Sequence, residues 1–505
     1  MARKKKDLSR GNLDQNLSEK FVWAIAYGSS IGWGAFILPG DWISQAGPLG
    51  ASIGIFIGAL LMIVIAVSYG ALVEKFPVSG GAFAFGYLGF GKYVSFFSSW
   101  FLTFGYICIV ALNASAFSLL FKFIMPGFLE QGKLYTVAGW DVYITEIILS
   151  SLILLIFAWI SIKGSSFSGS LQYIFCVVLA VVVILLFAGS FFTHDFSFSN
   201  LKPVVSNDMG WLASIVVILA VAPWAYVGFD NIPQTAEEFN FSPSKTFKLI
   251  VFSLIASALT YVMMILLTSW LFKDASSVGG DLWVTGSVVQ EAFSFVGLAV
   301  LIVAILMGIF TGLNGFFMSS SRLLFSMGRA SVMPSVFKKL HPKYNTPYIS
   351  IIFILVMALA APWLGRTALT WIVDMSSTGV SIAYFITCLS AFKLFSYDKR
   401  SMMYHPKYKT FAIIGAIFAG IFLGLLLIPG SPASLSLPSY IALFIWLVLG
   451  IVFFMIRYPS LKKMTNDELN YLVLDKTKEE MIDLEAKTEV KKLNKYIVNQ
   501  TSERR

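Results

Sequence analysis

Long apolar runs separated by short polar loops dominate the chain from residue 21 to residue 457. A helix needs about 20 apolar residues to cross a hydrocarbon core of about 30 Å. Twelve windows have roughly this length or more, and we predict a transmembrane helix in each. The windows are 21–46, 50–73, 93–124, 141–160, 168–192, 211–235, 247–272, 290–327, 347–363, 368–393, 410–429 and 438–457. The pattern therefore predicts an all-α membrane protein that crosses the bilayer many times.

Two of these windows contain residues that weaken a helix. The first includes GSSIGWGAF at 28–36, and the sixth ends within APWAYVGFDNIPQTAEE at 222–238. Lipid tolerates a helix break only where the freed backbone groups face protein or a wet cavity. Glycines also serve close helix packing, so a single break has two interpretations. Two breaks at corresponding places in two sets of five windows favour a binding site near the middle of the membrane.

The composition is that of a membrane protein, and the distribution of its charged residues predicts its orientation in the membrane. The 505 residues are 57% hydrophobic and 13% charged, with a mean hydropathy of +0.78. If the N-terminus is cytoplasmic, only five of the 37 Lys and Arg residues fall in outer loops. The positive-inside rule therefore predicts a cell (plasma) membrane protein with both termini in the cytoplasm. We interpret the net charge of +10, including the basic segment 322–343, as this orientation signal rather than as nucleic-acid binding.

The chemistry needed for an enzyme is missing from the sequence. Cys108, Cys176 and Cys388 each lie in an apolar window, with neither metal-ligand nor disulfide spacing. The three histidines all lie in predicted loops, and no nucleophile has a convincing base beside it. We therefore expect no catalytic residues, no metal site and no cofactor.

Four segments resemble the signature segments of amino acid–polyamine–organocation (APC) superfamily permeases. They are GSSIGWGAF with the following LPG, FPVSGGAFAFGYLGFGKYVSFFSSW, AYVGFDNIPQTAEE and SRLLFSMGRASVMPSVFKKLHPKYNTP. The third segment is most similar to the cationic amino acid transporter branch. The resemblance implies a LeuT-like fold of two inverted five-helix repeats and two extra helices, with helices 1 and 6 unwound. The implied divisions are a basic leader at 1–20, repeats at 21–192 and 211–393, helices 11 and 12 at 410–457, and a tail at 458–505.

The resemblance also implies a secondary active amino acid transporter that works by alternating access. The α-carboxylate of the substrate would lie on the first break, the amino group on carbonyls of helix 6, and the side chain against helices 3, 6, 8 and 10. The implied substrate-binding residues are Ser29, Ser30, Ile31, Trp33, Gly34, Tyr106, Ala225, Tyr226, Gly228, Phe229, Asp230, Phe316 and Ser377. The Trp33 indole either enters this site or packs away from it.

Asp230 bears on the class of substrate. It either neutralises a cationic side chain or caps amides freed by the helix break. Members of the similar branch that take cationic substrates often have an acidic residue in helix 3, and the third window here carries no Asp or Glu. The resemblance therefore favours neutral, apolar or aromatic, amino acids. Alternatives are an amine or polyamine permease anchored by Asp230, and an amino acid exchanger.

The coupling ion has several candidates. Some proton-driven members of the similar family have a lysine in helix 5, where its ammonium group takes the place of a sodium ion. The stretch LQYIFCVVLAVVVILLFAG in the fifth window contains no lysine. Sodium would instead need carbonyls near Gly28 and Ile31 with Thr311 or Asn314, although these polar groups also suit helix packing. Protons would use a buried carboxylate, Asp230 or Asp374, because burial favours the uncharged form. We expect protons rather than sodium, with ion-free exchange left open.

Overall fold

The computed structural model describes residues 10–125, 127–137, 139–272, 283–365, 368–396, 405–431 and 434–481, and these are mostly helical. The helices are α1 (Glu19–Ile31), α2 (Gly34–Ile37), α3 (Pro39–Lys75), α4 (Gly81–Ile124), α5 (Ile144–Ile162), α6 (Ser165–Ser190), α7 (Gly210–Leu219), α8 (Ala222–Ala225), α9 (Asn231–Gln234), α10 (Thr246–Trp270), α11 (Val284–Arg329), α12 (Tyr348–Ala358), α13 (Ala368–Phe395), α14 (Pro406–Leu427), α15 (Leu437–Leu461) and α16 (Asn466–Leu474). Residues 1–9 of the predicted leader and 482–505 of the predicted tail lie outside the described residues.

Nine helices in the described ranges are long and apolar enough to cross a membrane. They coincide with windows two to five, seven, eight and ten to twelve, so the prediction of a multi-pass, all-α membrane protein is confirmed. The first, sixth and ninth windows coincide with shorter or interrupted helices. The count of twelve and the inverted-repeat arrangement stay predictions.

The first window is interrupted at its glycine cluster. α1 ends at Ile31, and Gly32 adopts φ 53° and ψ −156° before helical structure resumes at Gly34. Only glycine adopts such a backbone conformation at little cost. Leu38 keeps helical angles between α2 and α3, so the second piece continues toward the kink at Gly47.

The sixth window is broken over a longer stretch. It consists of α7, α8 and α9, with a non-helical turn at 226–230 in which Gly228 has φ 129°. A Cβ atom on Gly228 would lie 2.7 Å from both the carbonyl carbon of Ser29 and the amide nitrogen of Ser30. The two breaks therefore touch backbone to backbone.

A β-hairpin replaces the predicted beginning of the fourth window. We predicted a helix over 141–160, but strand β2 (Trp140–Tyr143) pairs antiparallel with β1 (Lys133–Val137), and α5 begins only at Ile144. Both strands are rich in aromatic and β-branched residues, which favour extended structure. Hydropathy alone did not separate the strand from the helix that follows it.

The bundle has two distinct ends. α4 begins next to α16, where the Tyr87 hydroxyl donates to Asn470 Oδ1, and it ends near the hairpin, where Lys122 pairs with Glu146. We call the end with α16 the terminal face and the end with β1 and β2 the hairpin face. Arg10 pairs with Asp475 just after α16, so the N-terminal segment also lies on the terminal face.

Candidate functional site

A small cavity of about 30 Å³ lies between the two breaks. Six of the predicted substrate-binding residues line it: Ser29, Ser30, Ile31, Trp33, Gly34 and Ala225. The other lining residues are Gly32, Ile109, Leu112, Asn113, Trp224, Val227 and Tyr261. This volume is close to that of one water molecule. The structure is therefore contracted around the cavity, and a larger molecule enters only if the helices move apart.

The first break supplies hydrogen-bond donors to this cavity. The amides at the start of a helix have no partner within that helix and form its positive end. Gly34 lies at this start, and a Cβ atom there would be 3.1 Å from Cη2 of Trp224. The hydroxyl of Ser29, another lining residue, is buried beside Gly315 of α11 without a hydrogen-bond partner among the described residues. This wall of the cavity suits an anionic group.

Carbonyl oxygens of both breaks meet around one tyrosine. The Tyr261 hydroxyl lies 3.1 Å from Ser30 O, 3.2 Å from Ile31 O and 3.1 Å from Ala225 O. One hydroxyl has one proton for these three acceptors, so they retain capacity for a further donor. The sequence analysis missed Tyr261, because nothing in its apolar surroundings on α10 indicates a polar contact. It joins the two breaks to α10.

Asp230 lies outside the cavity lining, in a fully buried cluster. Its Oδ1 accepts from the Gly228 amide at 2.9 Å and from the Tyr384 hydroxyl at 3.3 Å. Its Oδ2 accepts from the Tyr106 hydroxyl at 2.5 Å. The carboxylate therefore caps an amide at the break, one of the two roles considered for it.

The remaining predicted binding residues are also absent from the cavity lining. The Tyr106 ring packs against Phe316 at 5.3 Å, and Phe229 packs against Tyr384 at 5.3 Å. Ser377 donates to Val373 O in its own helix. The Tyr226 hydroxyl donates to Ile55 O, while its carbonyl accepts from Ser30 Oγ. In this contracted conformation the side chains of these residues contact other protein groups.

The predicted sodium ligands already have protein donors. Thr311 Oγ1 donates to Gly28 O at 2.9 Å. Asn314 Nδ2 donates to Ser168 O and to Gln172 Oε1, and Ser168 Oγ donates back to Asn314 Oδ1. These bonds form a neutral, mutually satisfied network between α1, α6 and α11. The network matches the packing interpretation of these groups.

Asp374 lies away from the cavity. It is half-buried on α13, and its Oδ2 accepts from Ser439 Oγ at 3.1 Å. Ser436 N and Oγ lie 3.5 Å from the same oxygen. Asp374 therefore stabilises the beginning of α15, where a negative charge is favourable.

Comparison with known proteins decides the family. The sequence profile of the family described as "Amino acid permease" matches residues 17–465. This chain belongs to the amino acid permease family.

Relatives of this permease differ in substrate at similar identity. Branched-chain amino acid permease BcaP of Lactococcus lactis is 25% identical over 82% of this chain and 90% of its own length. Lysine-specific permease LysP of the same organism is 24% identical over 79% of this chain and 81% of its own length. A methylthioribose transporter of Bacillus subtilis is 23% identical over 67% of this chain and 72% of its own length. Similarity therefore supports amino acid transport at the level of the family.

A chamber of about 870 Å³ lies on the hairpin face of the permease. Its lining includes the charged residues Asp41, Lys122, Glu130, Asp141 and Glu146. Trp33 lines both this chamber and the small cavity. The ring centroids of Trp33 and Trp224 lie 6.5 Å apart, in an edge-to-face arrangement. Trp33 therefore lies between the chamber and the cavity.

The terminal face of the permease is closed by buried ion pairs. Arg322 pairs with Glu238 at 2.7 Å, and Glu237 pairs with Arg329 at 2.8 Å and with Arg10 at 3.1 Å. The segment 322–343, which we interpreted mainly as an orientation signal, also has a structural role, because Arg322 and Arg329 are buried partners of carboxylates just beyond the sixth window. Positive charges in sequence do not reveal such partners.

Glu237 is negatively charged at neutral pH. Burial by itself would raise the pKa of Glu237, but Arg329 and Arg10 outweigh burial and lower it to about 2. A lowered pKa means that the pairing stabilises the fold fully above the ordinary pKa of 4.5 and loses this contribution only as the pH falls toward about 2. The closure of the terminal face is therefore insensitive to pH near neutrality.

Replacing Glu237 with glutamine is expected to open the terminal face. Removing one partner of a buried ion pair costs about 3–5 kcal/mol. This change takes away the carboxylate that pairs with Arg329 and leaves Arg10 with Asp475. Ser79, whose amide donates to Glu237 Oε2, is buried under the closure. Alkylation of a Ser79→Cys variant in detergent is expected to become about tenfold faster when Glu237→Gln is added.

The exposed residue Glu479 supplies the control for this measurement, since Glu479→Gln removes one negative charge from the same face. The native cysteines Cys108, Cys176 and Cys388 are buried, so background labelling is low. Equal alkylation rates with and without the Glu237→Gln change would contradict a closing role for the ion pairs.

Proposed function

We propose that this permease is a secondary active transporter that imports neutral amino acids by alternating access, driven by protons and not by sodium. The α-carboxylate of the substrate binds the first break, and its amino group binds carbonyls of the sixth window. The LeuT-like repeats span 21–192 and 211–393. The protein lies in the cell membrane with its terminal face in the cytoplasm, as the distribution of basic residues favours.

The observation that carries this proposal is the convergence of both breaks on one cavity. Gly34, at the start of α2, lines it together with Ser29. Ser30 and Ala225 are also lining residues, and their carbonyls meet at the Tyr261 hydroxyl. An α-amino acid carries an anion and a cation one carbon apart. Adjacent donors and acceptors of this kind are complementary to that pair of charges.

The two ends of the bundle support alternating access. The chamber on the hairpin face reaches Trp33, whereas ion pairs close the terminal face. Movement of Trp33 and Trp224 would connect the cavity to the chamber, and separation of the ion pairs would connect it to the opposite side.

The lining of the cavity supports a neutral substrate. None of the residues that line it is an Asp or a Glu. Asp230 is engaged by three donors outside the lining, so a cationic side chain would have to displace them. This arrangement also disfavours an amine or polyamine held by Asp230 alone.

Coupling to protons is supported by the isolation of Asp230. Three carboxylates are buried in the described part of the chain, and Glu237 and Glu238 are paired with arginines. Asp230 has only neutral donors around it. A buried charge without a counter-charge is costly, and binding a proton removes this cost. The oxygens suggested for sodium, by contrast, are engaged by Thr311 and Tyr261.

Uptake into proteoliposomes tests the proposal. Labelled neutral amino acids are supplied in sodium-free buffer, with and without an inside-alkaline pH gradient. We expect accumulation that depends on the gradient and does not change when sodium is added. Uptake that does not change with the gradient but requires internal amino acid would indicate exchange instead of proton coupling. Uptake of amines alone would overturn the amino acid assignment.

Replacing Gly34 with valine is expected to reduce uptake at least tenfold. Its Cβ atom would lie 3.1 Å from Trp224, and the two further methyl groups would occupy the space predicted for the carboxylate. Uptake and thermal unfolding are measured together. Gly424→Val is the control, since a Cβ atom there meets only Ile428 Cδ1 at 3.8 Å. Normal uptake by Gly34→Val would refute the placement of the carboxylate.

A further inference from the structure

Asn113 is a residue of the cavity lining that carries a buried, unpaired acceptor. Asn113 lies on α4, lines the cavity and is 3% exposed. Its Nδ2 donates to Ile109 O, four residues earlier, at 2.8 Å, whereas Oδ1 has no partner among the described residues. Reversing the amide would place two oxygens against each other, so the bond to Ile109 determines which atom is free.

The helix opposite makes room for this amide. A Cβ atom on Gly312 of α11 would lie 2.7 Å from both Nδ2 and Oδ1 of Asn113. Glycine at 312 therefore lets a polar side chain fit between α4 and α11. The lining neighbours of Asn113 on α4 are Ile109 and Leu112, whose side chains offer no hydrogen-bond donor.

An unsatisfied buried acceptor is unfavourable, and the cost corresponds to roughly a tenfold to hundredfold factor in an equilibrium constant. A ligand that supplies a donor removes this cost, whereas an apolar ligand of the same shape does not. Sites built around such a group strongly reject analogues that lack the complementary polar atom.

We propose that Asn113 Oδ1 accepts a hydrogen bond from the side chain of the substrate, so that the permease prefers neutral amino acids with a hydroxyl or amide side chain over apolar ones of equal size. The inference rests on the proposed function and specifies its substrate class. The α-ammonium group has carbonyl acceptors in the sixth window, whereas Asn113 stands on a separate wall formed by α4.

Threonine and valine form a nearly isosteric pair that tests this preference, and glutamine and methionine form a longer pair. Each amino acid competes with labelled uptake in proteoliposomes, and each is also added to detergent-purified protein to measure ligand-induced thermal stabilisation. In the wild type we expect the polar member of at least one pair to bind about tenfold more tightly. In Asn113→Leu, which keeps the approximate shape of the side chain, we expect the ratio of the two affinities, polar member over apolar member, to fall to one or below.

Thr103→Val is the matched control. Thr103 is a buried residue of α4 whose hydroxyl donates to Ser99 O within the helix, so this variant loses a similar bond without touching the cavity. It is expected to keep the wild-type ratio.

Three results would overturn the inference, and they are distinguishable from failure of the proposed function. A wild type without preference in either pair would contradict it, as would a ratio that survives Asn113→Leu. Equal loss of both members of a pair in a folded Asn113→Leu protein would assign Asn113 to a group common to all amino acids. Failure of the wild type to bind or transport any neutral amino acid would instead reject the proposed function itself.

Discussion

Replacing Gly308 with alanine is expected to abolish amino acid uptake, with a loss of at least about a hundredfold. A Cβ atom on Gly308 would lie 2.2 Å from the carbonyl oxygen of Gly32 and 2.8 Å from its carbonyl carbon. Both atoms belong to the backbone of the first break, so no side-chain rotation relieves the contact. The break must shift away from α11, and displacement of a binding group by about 1 Å is enough for an effect of this size.

Gly424→Ala is the control for this prediction, because it makes the same change in α14 with only an ordinary contact at 3.8 Å. Thermal unfolding separates a displaced site from a protein that fails to fold. Uptake by folded Gly308→Ala at the wild-type rate would show that the backbone of the break does not need its observed position.

Replacing Asp230 with asparagine is expected to reduce gradient-driven accumulation about tenfold or more. Exchange of amino acids across the membrane is expected to continue. Asparagine keeps an oxygen that can accept from the Gly228 amide and the Tyr384 hydroxyl, and its side-chain NH2 group can donate to the hydroxyl oxygen of Tyr106. It does not bind and release a proton near neutral pH. The cap on the break would thus survive and the coupling would not.

The comparison is made in proteoliposomes with labelled amino acid outside, first with an inside-alkaline gradient and then with unlabelled amino acid inside. Asp374→Asn is the control carboxylate, since Asp374 binds the beginning of α15 away from the cavity. Gradient-driven accumulation that persists in Asp230→Asn would exclude Asp230 as the proton carrier. Loss of both activities would assign it a purely structural role.

Sequence predicted the two breaks because their causes are local. Gly32 requires a positive φ, and Gly228 leaves no space for a side chain against the backbone of Ser29. Clusters of glycine and proline within apolar windows are visible without any knowledge of tertiary structure. The breaks could be located from these clusters, and the resemblance to APC permeases then implied six of the residues that line the cavity.

The contacts that surround the breaks could not be predicted in this way. Tyr261 reaches Ser30 across more than 200 residues of sequence, and Arg322 reaches Glu238 across 84. Hydropathy places such residues on helices but does not determine which neighbour each will face. Asn113 was overlooked for the same reason, since a single asparagine in an apolar helix becomes informative only when its unpaired oxygen is seen at the cavity.

The central claim is that the α-carboxylate of an amino acid binds the first break, and competition by decarboxylated analogues tests it most directly. Uptake of each transported amino acid into proteoliposomes is measured with the unlabelled amino acid, or its decarboxylated amine, as competitor. The account predicts that the amine competes at least about a hundredfold less well, because it leaves the Ser29 hydroxyl and the amides near Gly34 without their partner. Equal competition by the amine would contradict the account and identify an amine permease.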